Sequence, residues 1–342
     1  MNRRPVQLQR SDQPMLDVFS YGRLPSGLRR FSPSQIAQIA RTVRRTPEVM
    51  VKVTGGGKSA GAVAAHFAYI SRKSELEIET DDGQRVAGKE STKALLKDWH
   101  LDLIAGQYRW DAKTAPDARR VKLVHNIVFS MPSPTPPEKV LAAAKHFAQE
   151  KFGLQHRYAM VLHTDQPNPH VHMVVKAESE LGHRLHIDKP MLRQWREDFA
   201  QAMREQGVAA NATPRVIRGR NRGKTPDAIY RVQQRGESRA LSERATSVVQ
   251  ELARTRSIRD PARDRLVYSR KALIAGWTKI AETLDAQGEI ALAGDVRYFA
   301  QTLPRVLTDR ERIASQVVEH LKHTSRRQPD PRRERDHDNL VR

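Results

Sequence analysis

Three histidines in one short stretch, His163, His170 and His172 within YAMVLHTDQPNPHVHMVVK, have the types and spacing of a metal site. The apolar runs around them, Ala159 to Leu162 and Met173 to Val175, read as strands. Side chains alternate across a strand, so His170 and His172 share one face while Val171 takes the other. The connection Thr164 to Pro169, with Asp, Asn and two prolines, reads as a tight polar turn that folds His163 back beside them. Three neutral imidazole nitrogens on one sheet face make a divalent-metal site with open positions, as catalysis requires. Asp165, two residues after His163, is placed to accept an imidazole N–H and fix its tautomer.

Charge narrows the chemistry. The 342 residues carry a formal net charge of +21, which calls for a polyanionic partner, nucleic acid or an anionic membrane surface. The N-terminus MNRRPVQLQRSDQPM has no apolar stretch like that of a signal peptide, and no segment is apolar over a bilayer's width. Nucleic acid in a bacterial cytoplasm is therefore the expected setting, without membrane insertion. With no cysteine there is no disulfide framework, zinc ribbon or thiol nucleophile, so metal binding falls to His, Asp and Glu. A metal-dependent hydrolase of small phosphates is disfavoured, because such a substrate needs far less positive charge.

An open metal site in so basic a chain points to phosphodiester chemistry, where a bound metal polarises a non-bridging oxygen. Among the seven tyrosines, Tyr69 stands out as a nucleophile because His66, Ser71, Arg72 and Lys73 surround it at the end of an expected helix. Neighbouring cations favour a phenolate. Taken alone, this stretch reads more commonly as a tyrosine packed at a helix end. A second basic run, Arg215, Arg218, Arg220, Arg222 and Lys224, contains glycines and no acid. It is either a solvated charge run or a set of phosphate contacts.

The elements that position these residues follow from periodicity. Residues 1–47 are rich in Arg, Pro, Ser and Gln and read as a flexible basic leader, with a weakly amphipathic patch at 35–43. VMVKVT at 49–54 alternates as a first strand, broken by three glycines; a helix then carries AGAVAAHFAYISRK. GGGKS is not a phosphate loop, since position 52 is Lys where that pattern needs Gly, although its amides suit a DNA phosphate. A hairpin around Asp82-Gly83, a helix over 92–104, a strand over 121–129, and helices over 138–152 and 190–206 complete the set. This order implies an α+β fold: a central antiparallel or mixed sheet with helices covering one face. Residues 48–230 are expected to form the nuclease domain and 231–323 a smaller all-α region, with a disordered basic tail over 324–342.

Four segments together, GGGKSAGAVAAHFAYISRK, HNIVFSMPSPTPPE, HTDQPNPHVHMVVKA and GVAANATPRVIRGRNRGK, resemble the successive motifs of the conjugative relaxases. These are His-hydrophobe-His single-strand endonucleases, and the resemblance is to the branch of the T-DNA border nickase and mobilisation P-type relaxases. It implies site- and strand-specific nicking and rejoining at an origin of transfer through a covalent 5′-phosphotyrosine. Position by position, Tyr69 maps to the nucleophile, and His163, His170 and His172 map to the metal ligands. Asp165 maps to the motif's acidic residue, Ser130 to a serine contacting DNA near the cut, and Arg72 and Lys73 join the DNA-contacting set. His163 carries two implied roles, ligand and general base, and both stay open. The family works with Mg²⁺ or Mn²⁺, whereas three imidazoles also suit Zn²⁺. The implied partners are origin DNA in single-stranded form, accessory relaxosome proteins, a coupling protein with type IV secretion machinery, and a separate helicase. Export to a recipient cell on the DNA strand would follow. The alternatives are a rolling-circle replication initiator with the same chemistry and a DNA-binding accessory protein that does not cleave.

Overall fold

The computed structural model describes residues 18, 30–101, 103–104, 121–220, 239–255 and 257–327. Contacts group residues 37–213 into one compact unit and residues 1–36 with 214–342 into another.

The unit formed by residues 37–213 is built on six strands: β1 (Met50–Gly55), β2 (Ile78–Thr80), β3 (Arg85–Val86), β4 (Val124–Ser130), β5 (Tyr158–His163) and β6 (His170–Lys176). Their spatial order is β1-β4-β6-β5-β2-β3, and every paired neighbour is antiparallel. The fold is α+β, as the sequence implies. The histidine hairpin β5–β6 occupies the middle of the sheet, where its near-continuous apolar sequence is covered on both sides.

Helices lie on both faces of the sheet, where the order of elements suggested one. On one face, Val171, Met173, Val175, Met160, Ile127 and Phe129 pack against helix α4 (Pro137–Phe152) and helix α5 (Lys189–Glu205). Phe147 sits at the centre of this layer, with ring centroids 4.9 Å from Phe129 and 5.8 Å from Trp195. On the other face, Val124, Ala159, Val161 and Val174 pack against Val63, Phe67 and Ile70 of helix α2 (Ala60–Ile70) and against Leu95 and Leu96 of helix α3 (Lys89–Asp98). Each strand of the hairpin spends its alternate residues on two different hydrophobic layers. The histidines occupy the positions on the second face that these apolar contacts leave at one end.

Helix α2 is set by its ends. The Ser59 side chain accepts from the Ala62 N–H, and the Gly-rich turn before it lets the backbone pass close to β4. A Cβ on Gly56 would lie 2.2 Å from the Val124 carbonyl oxygen, so no other residue fits without a shift. This turn sits beside the Val124–Lys176 end of the sheet. Eleven helical residues then carry the chain about 16 Å back toward the histidines. The GGGKS amides, read from sequence as suited to a phosphate, therefore lie at the opposite sheet edge from the histidines, and Ser59 is engaged in capping its own helix.

Within the amphipathic patch of the leader, helix α1 (Pro33–Val43) forms, and Thr42 from it joins a polar knot. Asn211, fully buried, donates from its side chain to Thr42 Oγ1 and Glu48 Oε1 at 3.1 Å each. The Glu48 carboxylate also accepts from the Thr213 hydroxyl at 2.5 Å and from the Thr213 N–H at 2.7 Å.

In the second unit, helices α6 (Arg239–Thr255), α7 (Ala262–Ala286), α8 (Ile290–Gln301) and α9 (Asp309–Arg327) follow the helical repeats of the sequence. Trp277 on α7 is fully buried against Phe299 on α8, and its indole N–H donates to the Ile217 carbonyl at 3.0 Å. None of the described helices is long and apolar enough to cross a membrane.

Candidate functional site

Cross-strand register brings the histidines together. His163 pairs with His170 across β5 and β6, and His170 pairs with Ser130 across β6 and β4, so the three share one row on one face. His172 lies two residues along β6 on the same face. The ring centroids are 4.5 Å apart for His163 and His172, 5.0 Å for His163 and His170, and 5.2 Å for His170 and His172. One nitrogen from each ring falls within 4.8 Å of the others.

These residues fit a divalent metal on their own chemistry. His170 Nδ1 lies 3.1 Å from the Asn168 carbonyl, so it carries the proton and leaves Nε2 with a free electron pair. Burial pushes His172 down to about 3, with repulsion from His163 and His170 adding to the effect, and burial likewise lowers His163. Neutral imidazole is the ligating form. The Asn168–Pro169 turn is held in place: the Pro169 carbonyl accepts from the Ser130 hydroxyl at 3.1 Å, and Asn168 Oδ1 accepts from the Ser133 N–H at 3.1 Å. Ser130, read from sequence as a DNA contact, is buried and anchors this turn beside His170.

The tyrosine comes from the end of helix α2. The Ile70 carbonyl accepts from His163 Nε2 at 2.5 Å, which joins the last turn of the helix directly to the histidine cluster. Tyr69, one residue earlier, is 57% exposed, with its ring stacked 6.3 Å from His66. Arg72, Lys73 and Ser74 all adopt left-handed backbone angles, at φ 52, 59 and 78. Such a run of non-glycine residues is strained and belongs where the surrounding structure holds it. Here it turns Arg72 back over the helix end, while Lys73 stays exposed.

Arg72 links the parts. Its Nη2 donates to Asp165 Oδ2 at 2.6 Å and approaches His163 Nδ1 at 3.2 Å, while its guanidinium carbon lies 5.7 Å from the centre of the Tyr69 ring. The guanidinium beside it holds the Asp165 carboxyl below the usual carboxylate range. The expectation that Asp165 accepts directly from an imidazole is not met: Asp165 Oδ1 lies 3.9 Å from His163 Nδ1, beyond hydrogen-bond reach. The Ile70 carbonyl fixes the His163 tautomer instead, and Asp165 acts on His163 through Arg72.

Sequence reading placed His66 merely as a neighbour of Tyr69, and Arg72 among the DNA-contacting residues. Burial lowers His66, and its ring lies close enough to repel a proton on His172. The signal available in advance was helical spacing, which puts His66 one turn before Tyr69 on the same side. Arg215, Arg218 and Arg220 belong to the second unit, in a turn pinned by Trp277 to the Ile217 carbonyl and by Arg270 to the Gly219 carbonyl. Arg222 and Lys224, and the tail beyond residue 327, lie outside the described residues.

Residues 69–208 match the family described as relaxase, MobA/VirD2-like, nuclease domain. The chain is similar to the T-DNA border endonuclease VirD2 of Rhizobium radiobacter, 26% identical over 186 residues, covering 50% of this chain and 43% of the relative. The T-DNA border endonuclease VirD2 of Agrobacterium fabrum is also 26% identical, over 208 residues that cover 57% of this chain and 46% of the relative. The matched segment thus spans less than half the length of these relatives. A solved structure described as the molecular basis of vancomycin resistance transfer in Staphylococcus aureus superposes at a TM-score of 0.32 and 12% identity, covering 49% of this chain and 98% of that one.

Proposed function

We propose that the chain nicks and rejoins one DNA strand at an origin of transfer, with Tyr69 as the nucleophile. The observation that carries the reading is the junction of helix α2 with the histidine cluster. The Ile70 carbonyl sits on His163, and Arg72 spans Tyr69, His163 and Asp165. The Tyr69 hydroxyl oxygen attacks the scissile phosphorus; the bond to the 3′ oxygen breaks, and a 5′-phosphotyrosine and a free 3′ hydroxyl result. A phosphotyrosine ester retains the energy of the broken bond, so the same site reverses the reaction and rejoins the strand. A divalent ion, Mg²⁺ or Mn²⁺ in this reading, held by His163, His170 and His172 supplies charge stabilisation at a non-bridging oxygen. In this reading Asp165, tied to Arg72, receives the phenol proton once its hold on Arg72 loosens.

In the same reading, residues 48–230 form the nuclease domain, and Lys73, Arg215, Arg218, Arg220, Arg222 and Lys224 meet phosphates of the bound strand. Accessory relaxosome proteins, a coupling protein and passage with the DNA strand into a recipient cell follow from a relaxase role. The test is a denaturing gel of purified protein incubated with labelled single-stranded oligonucleotides spanning candidate origins, with Mn²⁺ or with EDTA. A metal-dependent, protease-sensitive adduct that is absent in Tyr69→Phe is expected. An adduct that persists in Tyr69→Phe overturns the nucleophile assignment, and cleavage without any adduct makes the site a hydrolytic nuclease.

A further inference from the structure

Arg72 occupies a position with a consequence for how the site assembles. His163 has both ring nitrogens engaged: Nε2 donates to the Ile70 carbonyl at 2.5 Å, and Nδ1 accepts from Arg72 Nη2 at 3.2 Å. A carbonyl takes only a donor, so the proton sits on Nε2 and the single lone pair of the ring points at the guanidinium. Ligation through Nδ1 therefore requires Arg72 to withdraw. Ligation through Nε2 would require the helix end carrying Tyr69 to release its contact.

The shortest hold on the guanidinium is a carboxylate, Asp165 Oδ2 at 2.6 Å, whose side chain is 52% exposed; Tyr69 also bonds to it. Arg72 itself is 30% exposed and lies over the ring of the proposed nucleophile. A planar guanidinium binds a phosphate as readily as a carboxylate, with the same bidentate geometry. A DNA phosphate arriving at Tyr69 thus competes with Asp165 for Arg72.

We propose that Arg72 is a positioning residue that couples strand binding to metal binding: it blocks the His163 lone pair until a DNA phosphate draws it away from Asp165. The inference rests on the nicking reading, since it takes Tyr69 as the place where the scissile phosphate docks. Withdrawal of one guanidinium does two things at once. It frees His163 Nδ1 as the third ligand, and it frees the Asp165 carboxylate as a proton acceptor. The full ligand set and the proton acceptor then appear together, only when a strand is present. Linkage makes the effect reciprocal, so metal must raise the affinity for DNA by the same factor that DNA raises the affinity for metal.

The experiment is calorimetric titration of Mn²⁺ into the full chain, with and without a single-stranded oligonucleotide. It is run in a Tyr69→Phe background to keep the strand intact, and compared with the same protein carrying Arg72→Gln. Without DNA, Arg72→Gln is expected to bind Mn²⁺ about tenfold more tightly, because a charge-assisted hydrogen bond on the third ligand is gone. The increase in Mn²⁺ affinity on adding DNA is expected to shrink by the same factor. Equal or weaker Mn²⁺ binding by Arg72→Gln, or an undiminished DNA increment, overturns the proposal.

A measurement on the chain without Arg72→Gln guards against misfolding of that variant. Long-range ¹⁵N–¹H spectra of His163 should show Nε2 protonated and Nδ1 bare, and a ring protonated on Nδ1 overturns the proposal outright. A Tyr69-dependent adduct found together with unaltered metal coupling in Arg72→Gln would remove the coupling and leave the nicking reading standing. Absence of both adduct and metal binding would remove both.

Discussion

His125 offers a quantitative test of how the central sheet responds to acid. It lies on β4, the strand hydrogen-bonded to the one that carries His170 and His172. Its Nε2 lies 3.2 Å from the Leu185 carbonyl, while its Nδ1 is buried with no hydrogen-bond partner among the described residues. Burial first, and nearby Lys122 and Arg184 after it, push the ring down to about 4. The folded state thus favours the neutral ring, and between that value and about 6.5 the unfolded chain binds the extra proton. Stability from this residue is complete above the unfolded value and is lost as pH falls toward the folded one.

Going from about pH 7.5 to about pH 5, the proton taken up by the unfolded chain is worth about 2 kcal/mol. That figure depends on the unfolded value, so a folded value anywhere below about 4.5 gives nearly the same result. Because the ring is only partly shielded from water, about 1 kcal/mol is a prudent lower figure. His125→Gln keeps a donor for the Leu185 carbonyl and removes the titration. Urea unfolding read by pulse proteolysis, following the protected sheet unit, should show the wild-type midpoint falling with acid by about 0.5 M more than that of the variant, for a slope near 2 kcal/mol/M. Equal acid shifts in the two proteins would refute the assignment of a neutral, poorly satisfied ring.

Two further outcomes follow. His170→Ala removes a proposed ligand whose free Nε2 is set by the Asn168 carbonyl, so Mn²⁺ affinity measured by calorimetry should fall by about a hundredfold with the fold intact by circular dichroism; retained affinity would count against the site. Gly56→Ala places a Cβ 2.2 Å from the Val124 carbonyl oxygen and should lower stability by about 1 to 3 kcal/mol, whereas Gly61→Ala, with open space around it, should be neutral or mildly stabilising in the same thermal melts.

Much of the site was legible in the sequence for a local reason. Strand alternation places residues 170 and 172 on one face whatever the sheet around them, and the proline-bearing turn keeps His163 within reach. The spacing of Val63, Phe67 and Ile70 likewise announced a helix with one buried side. Where the sequence reading stopped, non-local contacts had taken over. Helices on both faces follow from alternate residues of each hairpin strand joining different apolar layers, which a nearly continuous run such as HMVV does not reveal. Asp165 looked like a partner of His163 because it lies two residues away along the chain, but the left-handed turn at 72–74 brings a guanidinium from 93 residues away that binds the carboxylate instead. That the glycine turn lies at the far end of the strands from the histidines was likewise decided by packing.

The amino-acid order by itself determined the histidine residue types, their shared face and the excess positive charge, because these depend on backbone geometry and composition alone. Tertiary structure decided which groups touch. A helix end, a strained turn and a hairpin meet at His163 only because the hydrophobic layers on the two faces of the sheet fix where each element stops.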